Sequence, residues 1–150
     1  MRRKARELAF KVLFEQSFGN SSFSEAWNNS TQGLEPDEEA DDALDKEGLK
    51  FALDLVEGFE QHEAEINGVL EATIQGWSFG QMAKTDLAVL RLAAYEMLYL
   101  PTPYPALIEV AVKIAKRYGG EDSGRFVNGV LARLLKRVEA GELAAVEKSG

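Results

Sequence analysis

The sequence predicts an all-α protein of about six or seven helices. Three observations carry that prediction. Apolar residues recur at spacings of three and four in every long segment, and no segment alternates with the period of two that a half-buried strand requires. Glycines and prolines cluster between the segments, where helices stop and start. A length of 150 residues, with 45% hydrophobic and 28% charged residues, suits a single domain (1–150) with a real core.

The first helix is expected over 4–18. Ala5, Leu8, Ala9, Val12 and Leu13 form one apolar stripe, and Phe10, Phe14 and Phe18 form a second about half a turn away. A helix apolar on two faces is either sandwiched in a core or offers one face to a partner. Residues 19–46 are rich in Asn, Ser, Gly and acids and read partly as loop, with Phe23, Ala26 and Trp27 able to anchor one short helix behind a Ser22 or Ser24 cap. A long helix is expected over 47–66, with Leu49, Ala52, Leu53, Val56, Phe59 and Ile66 inward. Asn67-Gly68 breaks it, and Val69, Leu70, Thr73, Ile74 and Trp77 continue in a shorter helix.

Thr85 is expected to cap the next helix, whose residues Leu87 to Leu98 leave almost no polar face, the mark of a central buried helix. Arg91 and Glu96 are its exceptions and must pair or emerge at an edge. Pro101, Pro103 and Pro105 end it, and Pro105 suits the first turn of the following helix, which runs to Tyr118. Gly119 and Gly120 then supply a helix stop, and Asp122 and Ser123 supply capping oxygens for a last helix starting near Ser123. Gly129 lies inside that helix, where glycine costs about 1 kcal/mol relative to alanine, so either a packed helix or a ligand is expected to approach it closely. The tail from Gly141 to Gly150 is small and charged and is expected to fray.

Composition narrows the function classes. With no cysteine there is no disulfide framework, thiolate metal site or cysteine nucleophile. His62, the one histidine, sits among Glu60, Gln61 and Glu63 and reads as a surface residue without a catalytic partner. No glycine-rich phosphate loop and no spacing of metal ligands stands out, so no cofactor, metal or catalytic residue is expected. No apolar run approaches the roughly 20 residues needed to span a membrane, and a cytoplasmic location is expected.

The net charge of −8 hides an asymmetry. Residues 35–47 hold eight acids against Lys46, or −7. Residues 1–11 carry +4 through Arg2, Arg3, Lys4, Arg6 and Lys11 against Glu7, and residues 113–137 carry +5. A protein acidic overall but basic at both ends is able to bind polyanions locally. Arg2, Arg3, Lys4 and Arg6 form a candidate phosphate-contacting cluster. Phe126 is placed either to stack on an unpaired base or to pack in the core, and Asp122 is placed to accept from a base edge. These residues point to a binding protein, with single-stranded RNA as a candidate ligand set against ordinary surface charge and a core phenylalanine.

The opening RRKARELAFKVLFEQ, the central LAVLRLAAYEM and the later GGEDSGRFVNGVL lie in order along the chain. Together they resemble the NusB family of transcription antitermination factors. The resemblance implies two packed helical sub-bundles with the first helix beside the last. It implies binding of the boxA element of ribosomal RNA leader transcripts, in a heterodimer with the ribosomal protein NusE, within an antitermination complex on RNA polymerase. Arg2, Arg3, Lys4, Arg6, Asp122, Arg125 and Phe126 match the family's RNA side, and Phe14 and Asp86 match positions facing NusE. The chain departs from the family at Phe14, where tyrosine is frequent, at Ile108-Glu109-Val110-Ala111, where Asn-Glu often precedes the alanine, and in the acidic segment 19–46. Self-association through the RNA surface stays open. So do two other classes: an RNA-binding domain like that at the N-terminus of ribosomal RNA 5-methylcytosine methyltransferases, which needs a separate catalytic chain here, and a helical protein adaptor.

Overall fold

A computed structural model describes residues 2–19, 21–32, 44–76 and 78–149. Among these, seven α-helices and one short 3-10 turn form the fold, with no strand. The helices are α1 (Arg3–Gln16), α2 (Phe23–Thr31), α3 (Lys46–Gln61), α4 (Glu63–Thr73), α5 (Lys84–Tyr99), α6 (Tyr104–Gly119) and α7 (Glu121–Glu139). Most of the acidic run, and Trp77, lie outside the described residues.

Two sub-bundles form. In the first, α1 packs on α2 and α3; in the second, α5, α6 and α7 pack on one another. Helix α5 joins them, because it also packs on α1, α3 and α4. The reason is its composition: Leu87 to Ala94 is apolar all round apart from Arg91, so it must be covered on every side. The principal neighbours of α1 are α2, α3 and α5, and those of α7 are α4, α5 and α6. The expected pairing of first and last helix is thus replaced by contact of each with α5. Both α1 stripes are used, since Leu8, Ala9 and Val12 are buried on one side and Phe10 on the other.

Several local expectations need correction. The expected 47–66 helix divides at His62, which separates α3 from α4, and Asn67-Gly68 is ordinary α4 backbone. His62 is not a free surface residue; its ring stacks on Tyr99 at 4.1 Å between centroids. Helix α5 begins at Lys84 behind Ala83, without a side-chain cap, so Thr85 is a first-turn residue rather than a cap. Helix α7 begins at Glu121, and neither Asp122 nor Ser123 caps it. Gly120 does the stopping, in the left-handed region at φ +90°, where a side chain would be strained. Ser123 instead donates to the Gly119 carbonyl at 3.2 Å. Gly129 has nothing within 4 Å of where a Cβ would stand, so no helix packs against it. The Ser22 cap of α2 holds, accepting from the Glu25 amide at 3.2 Å, and Asp45 caps α3 through the Gly48 amide at 2.8 Å.

The described part of the tail lies along the end of α5. The Val146 amide donates to the Leu98 carbonyl at 3.0 Å and the Ser149 amide to the Pro101 carbonyl at 2.9 Å. Lys148 Nζ donates to the carbonyls of Met97 at 2.7 Å and Leu100 at 2.6 Å, so an ammonium closes the negative end of α5. Lys148→Ala is expected to cost about 1–2 kcal/mol, lowering Tm by several degrees. Differential scanning calorimetry checks this, and an unchanged Tm would mean the tail is not held in solution.

Candidate nucleic-acid interface

The basic residues of α1 do not share one surface. Arg6 lies at about 40° round the helix from Phe10 and 20° from Leu13, both inward, so it is drawn into the core with them. There its Nε donates to Glu96 Oε2 at 2.9 Å and its Nη2 to Glu96 Oε1. Thr102 Oγ1 donates to the same carboxylate at 2.8 Å. Arg6 and Glu96 are 7% and 2% exposed. Arg6 is therefore removed from the phosphate-contacting set: its charge is spent inside the fold, holding α1 to α5. Arg2 is exposed but leans toward α3, where it pairs with Glu47 at 3.4 Å and lies 5.4 Å from the Phe51 ring centroid.

Arg3 turns the other way, toward α6. Its Nε lies 3.6 Å from Glu7 Oε1, and Arg117 Nη1 at the end of α6 lies 3.7 Å from the same oxygen. The Tyr118 hydroxyl donates to Glu7 Oε2 at 3.3 Å. Burial, and next the Glu7 carboxylate, push the Tyr118 hydroxyl above its usual pKa. Lys4 is half-buried on the same turn. Since α7 follows α6 directly through Gly120, the first turn of α7 lies at this corner of the molecule. Asp122 and Arg125 are exposed there and paired with each other. Phe126 is half-buried and packs against the core cluster, so its ring is only partly available. Asn128 and Gly129, both exposed, continue that open face of α7.

The remaining bases of α7 serve the fold. Arg133 donates to the Thr73 carbonyl at 3.1 Å, and Arg137 to the Val69 carbonyl at 3.3 Å and to the Thr73 hydroxyl. Arg133 thus reaches the terminal carbonyl of α4, and Arg137 adds to the Val69 carbonyl, which the Thr73 hydroxyl also reaches at 2.7 Å. The sequence reading counted them in a single basic band. Charge counting alone does not separate an arginine facing water from one capping a helix.

The residues matched to a protein partner lie where α1 ends and α5 begins. Phe14 is half-buried between Phe10 and Phe18, at 5.7 and 5.0 Å between ring centroids. Phe18 is 52% exposed, and Lys84, the first residue of α5, lies over its ring and donates to the Ser17 carbonyl at 3.1 Å. Lys11, Phe14, Glu15, Phe18, Asn29, Ser30 and Gln32 line a cleft of about 570 Å³ between α1 and α2. Asp86 is 9% exposed, and its Oδ1 finds no hydrogen-bond donor among the described residues. Glu7, Lys11, Arg117 and Tyr118 were not singled out from sequence as site residues. The spacing of Arg3 and Glu7 by four was the available signal for the first contact.

No helix among the described residues is long and apolar enough to cross a membrane, and no group of His, Asp or Glu among them is gathered to hold a metal.

Comparison with known proteins follows the same lines. The model of the NusB family matches residues 3–136. The transcription antitermination protein NusB of Thermus thermophilus is 57% identical over 149 residues, covering 99% of each chain. Among solved structures, NusB of T. maritima superposes with a TM-score of 0.77 at 32% identity, covering 95% of this chain and 98% of its own. A chain from a crystal structure of the antitermination factors NusB and NusE in complex with dsRNA superposes with a TM-score of 0.76 at 25% identity, covering 90% and 96%.

Proposed function

The chain belongs to the NusB family, and on that premise we propose that it binds the boxA element of ribosomal RNA leader transcripts together with NusE, within an antitermination complex on RNA polymerase in the cytoplasm. The relatives are named as transcription antitermination proteins, a non-enzymatic role, and no residue is assigned a catalytic part. The observation that carries the RNA reading is the corner where Arg3 of α1 and Arg117 near the end of α6 share the Glu7 carboxylate, a few residues along the chain from the exposed Asp122–Arg125 pair that opens α7. The cations there supply phosphate contacts, and Asp122 and Phe126 supply a polar edge and a ring to unpaired bases. Lys4 lies on the same turn as Arg3, while Arg2, leaning toward α3, offers a separate cationic contact. The neighbouring structure that holds NusB, NusE and RNA supports the same pair of partners. The partner reading draws on Phe14 and Phe18, which leave apolar surface at the α1–α5 end.

Phe126→Ala separates stacking from packing. If the ring stacks on a base, affinity for single-stranded boxA RNA falls by about 1–3 kcal/mol per folded molecule. Because the ring is half-buried, some loss of Tm accompanies it. Calorimetric titration against single-stranded and duplex boxA RNA, with Tm measured on the same sample, checks both. Intact affinity for the single strand alongside a lowered Tm would make Phe126 a core residue only.

A further inference from the structure

Where α1 meets the end of α6, one buried carboxylate and one aromatic ring gather three cations from two helices. The Glu7 side chain is 9% exposed. Among the described residues its Oε1 finds no hydrogen-bond donor, and it lies near the charges of Arg3 at 3.6 Å and Arg117 at 3.7 Å. Tyr118 packs on Phe10 at 4.9 Å between centroids and donates its hydroxyl to Glu7 Oε2. Lys11 Nζ and Arg117 Cζ each lie 5.8 Å from the centroid of the Tyr118 ring. The side chains of Arg3 and Arg117 remain 40% and 60% exposed.

This arrangement is a poor way to gain stability. A carboxylate taken from water, with one long hydrogen bond from Tyr118 and otherwise charges beyond hydrogen-bond distance, recovers little of its desolvation cost, and an apolar residue would pack as well. It is a good way to hold long side chains in place. Arg3 and Arg117 come from different helices, and a shared anchor fixes the spacing of their guanidinium groups before a ligand arrives, which lowers the ordering cost of binding. The Arg117 side chain, held at one end by this anchor, still faces water.

We infer that Glu7 is a positioning residue for RNA binding, and that Arg117, beside Arg3 and Lys11, contacts RNA phosphates at this corner. The inference rests on the RNA reading given above. It extends the phosphate-contacting surface from the first turn of α1 across to the end of α6, and gives Arg117 a role beyond complementing the α6 dipole.

The test turns on a sign. Glu7→Gln removes a negative charge from a surface that meets a polyanion. If Glu7 acts by its charge alone, RNA binds more tightly; if it positions the arginines, RNA binds more weakly although the net charge has become more favourable. The expected result is weakening by about threefold or more. Arg117→Ala is expected to weaken binding by about three- to tenfold and to flatten the log-log salt dependence by about 0.7, one single-strand phosphate contact. In the Arg117→Ala background the effect of Glu7→Gln should shrink, because one of the groups it holds is gone. Titrations use the whole chain with NusE and a short single-stranded boxA RNA over a salt series, corrected for folded fraction by circular dichroism. Equal or tighter binding by Glu7→Gln overturns the positioning role. An unchanged salt slope for Arg117→Ala overturns the inference even if Glu7→Gln does not fold, since the exposed Arg117 side chain is not needed for packing. If the wild-type chain binds no boxA RNA, the RNA reading itself fails; if it binds and both variants match it, only this inference does.

Discussion

Glu96→Ala is expected to destabilise the chain by about 3–5 kcal/mol, lowering Tm by roughly 10 °C or more. The cause is the charge left behind. Arg6 is 7% exposed and spends two donors on Glu96, so without that carboxylate a guanidinium stays buried with no counter-charge, and Thr102 loses its acceptor. Arg6→Ala should do comparable harm by stranding Glu96, whereas Arg3→Ala, on the exposed side of the same helix, should stay within about 1 kcal/mol of wild type. Thermal denaturation of the three variants checks this order. If Arg6→Ala keeps its Tm and instead loses RNA, the assignment of Arg6 to the core is wrong and its place in the phosphate-contacting set returns.

Asp86→Asn should weaken NusE binding by about 10- to 150-fold while leaving Tm unchanged or slightly raised. In the free chain Asp86 is buried in the first turn of α5 with Oδ1 lacking a donor among the described residues, an arrangement that costs about 1–3 kcal/mol unless a donor reaches it. The helix N-terminus favours its charge and offsets part of that cost. A docking protein that supplies a donor at this edge, beside Phe14 and Phe18, would recover the rest, and a neutral amide would forfeit the charged part of that hydrogen bond. Titration calorimetry with NusE and a thermal melt on the same variant give both readouts. Unchanged NusE affinity would show that the partner does not reach Asp86.

The helices were legible because burial in this chain follows helical period closely. Leu8, Val12, Val56, Phe59, Leu90, Met97, Leu107, Ile114, Val127, Leu131 and Leu134 are all buried, and the period of 3.6 places each on an inward face, although in α3 Leu55 is buried where Leu49 and Leu53, expected inward, are half-buried. The unbroken apolar character of α5 also announced its central place. Helix ends were less legible. Thr85, Asp122 and Ser123 are good capping residues by type, yet Ala83 and Gly120 hold the N-cap positions, because backbone conformation there is set by the chain's path between packed helices.

The sequence by itself determined the fold class, the central helix, the separation of an acidic segment from basic ends, and the family, since each depends on residue types at local spacings. Only the tertiary structure decided what each charge does. Arg6, Arg133 and Arg137 look like Arg3, Arg117 and Arg125 in a string of letters; the first three meet Glu96 or carbonyls of α4, and the others stay at the surface. The same holds for Glu7, which gathers cations from two helices, and for Lys148, which closes a helix fifty residues away in sequence. A charged side chain's role is fixed by how much water it retains and which opposite charge or dipole lies within a few ångströms, and both depend on residues distant in sequence that folding alone brings near.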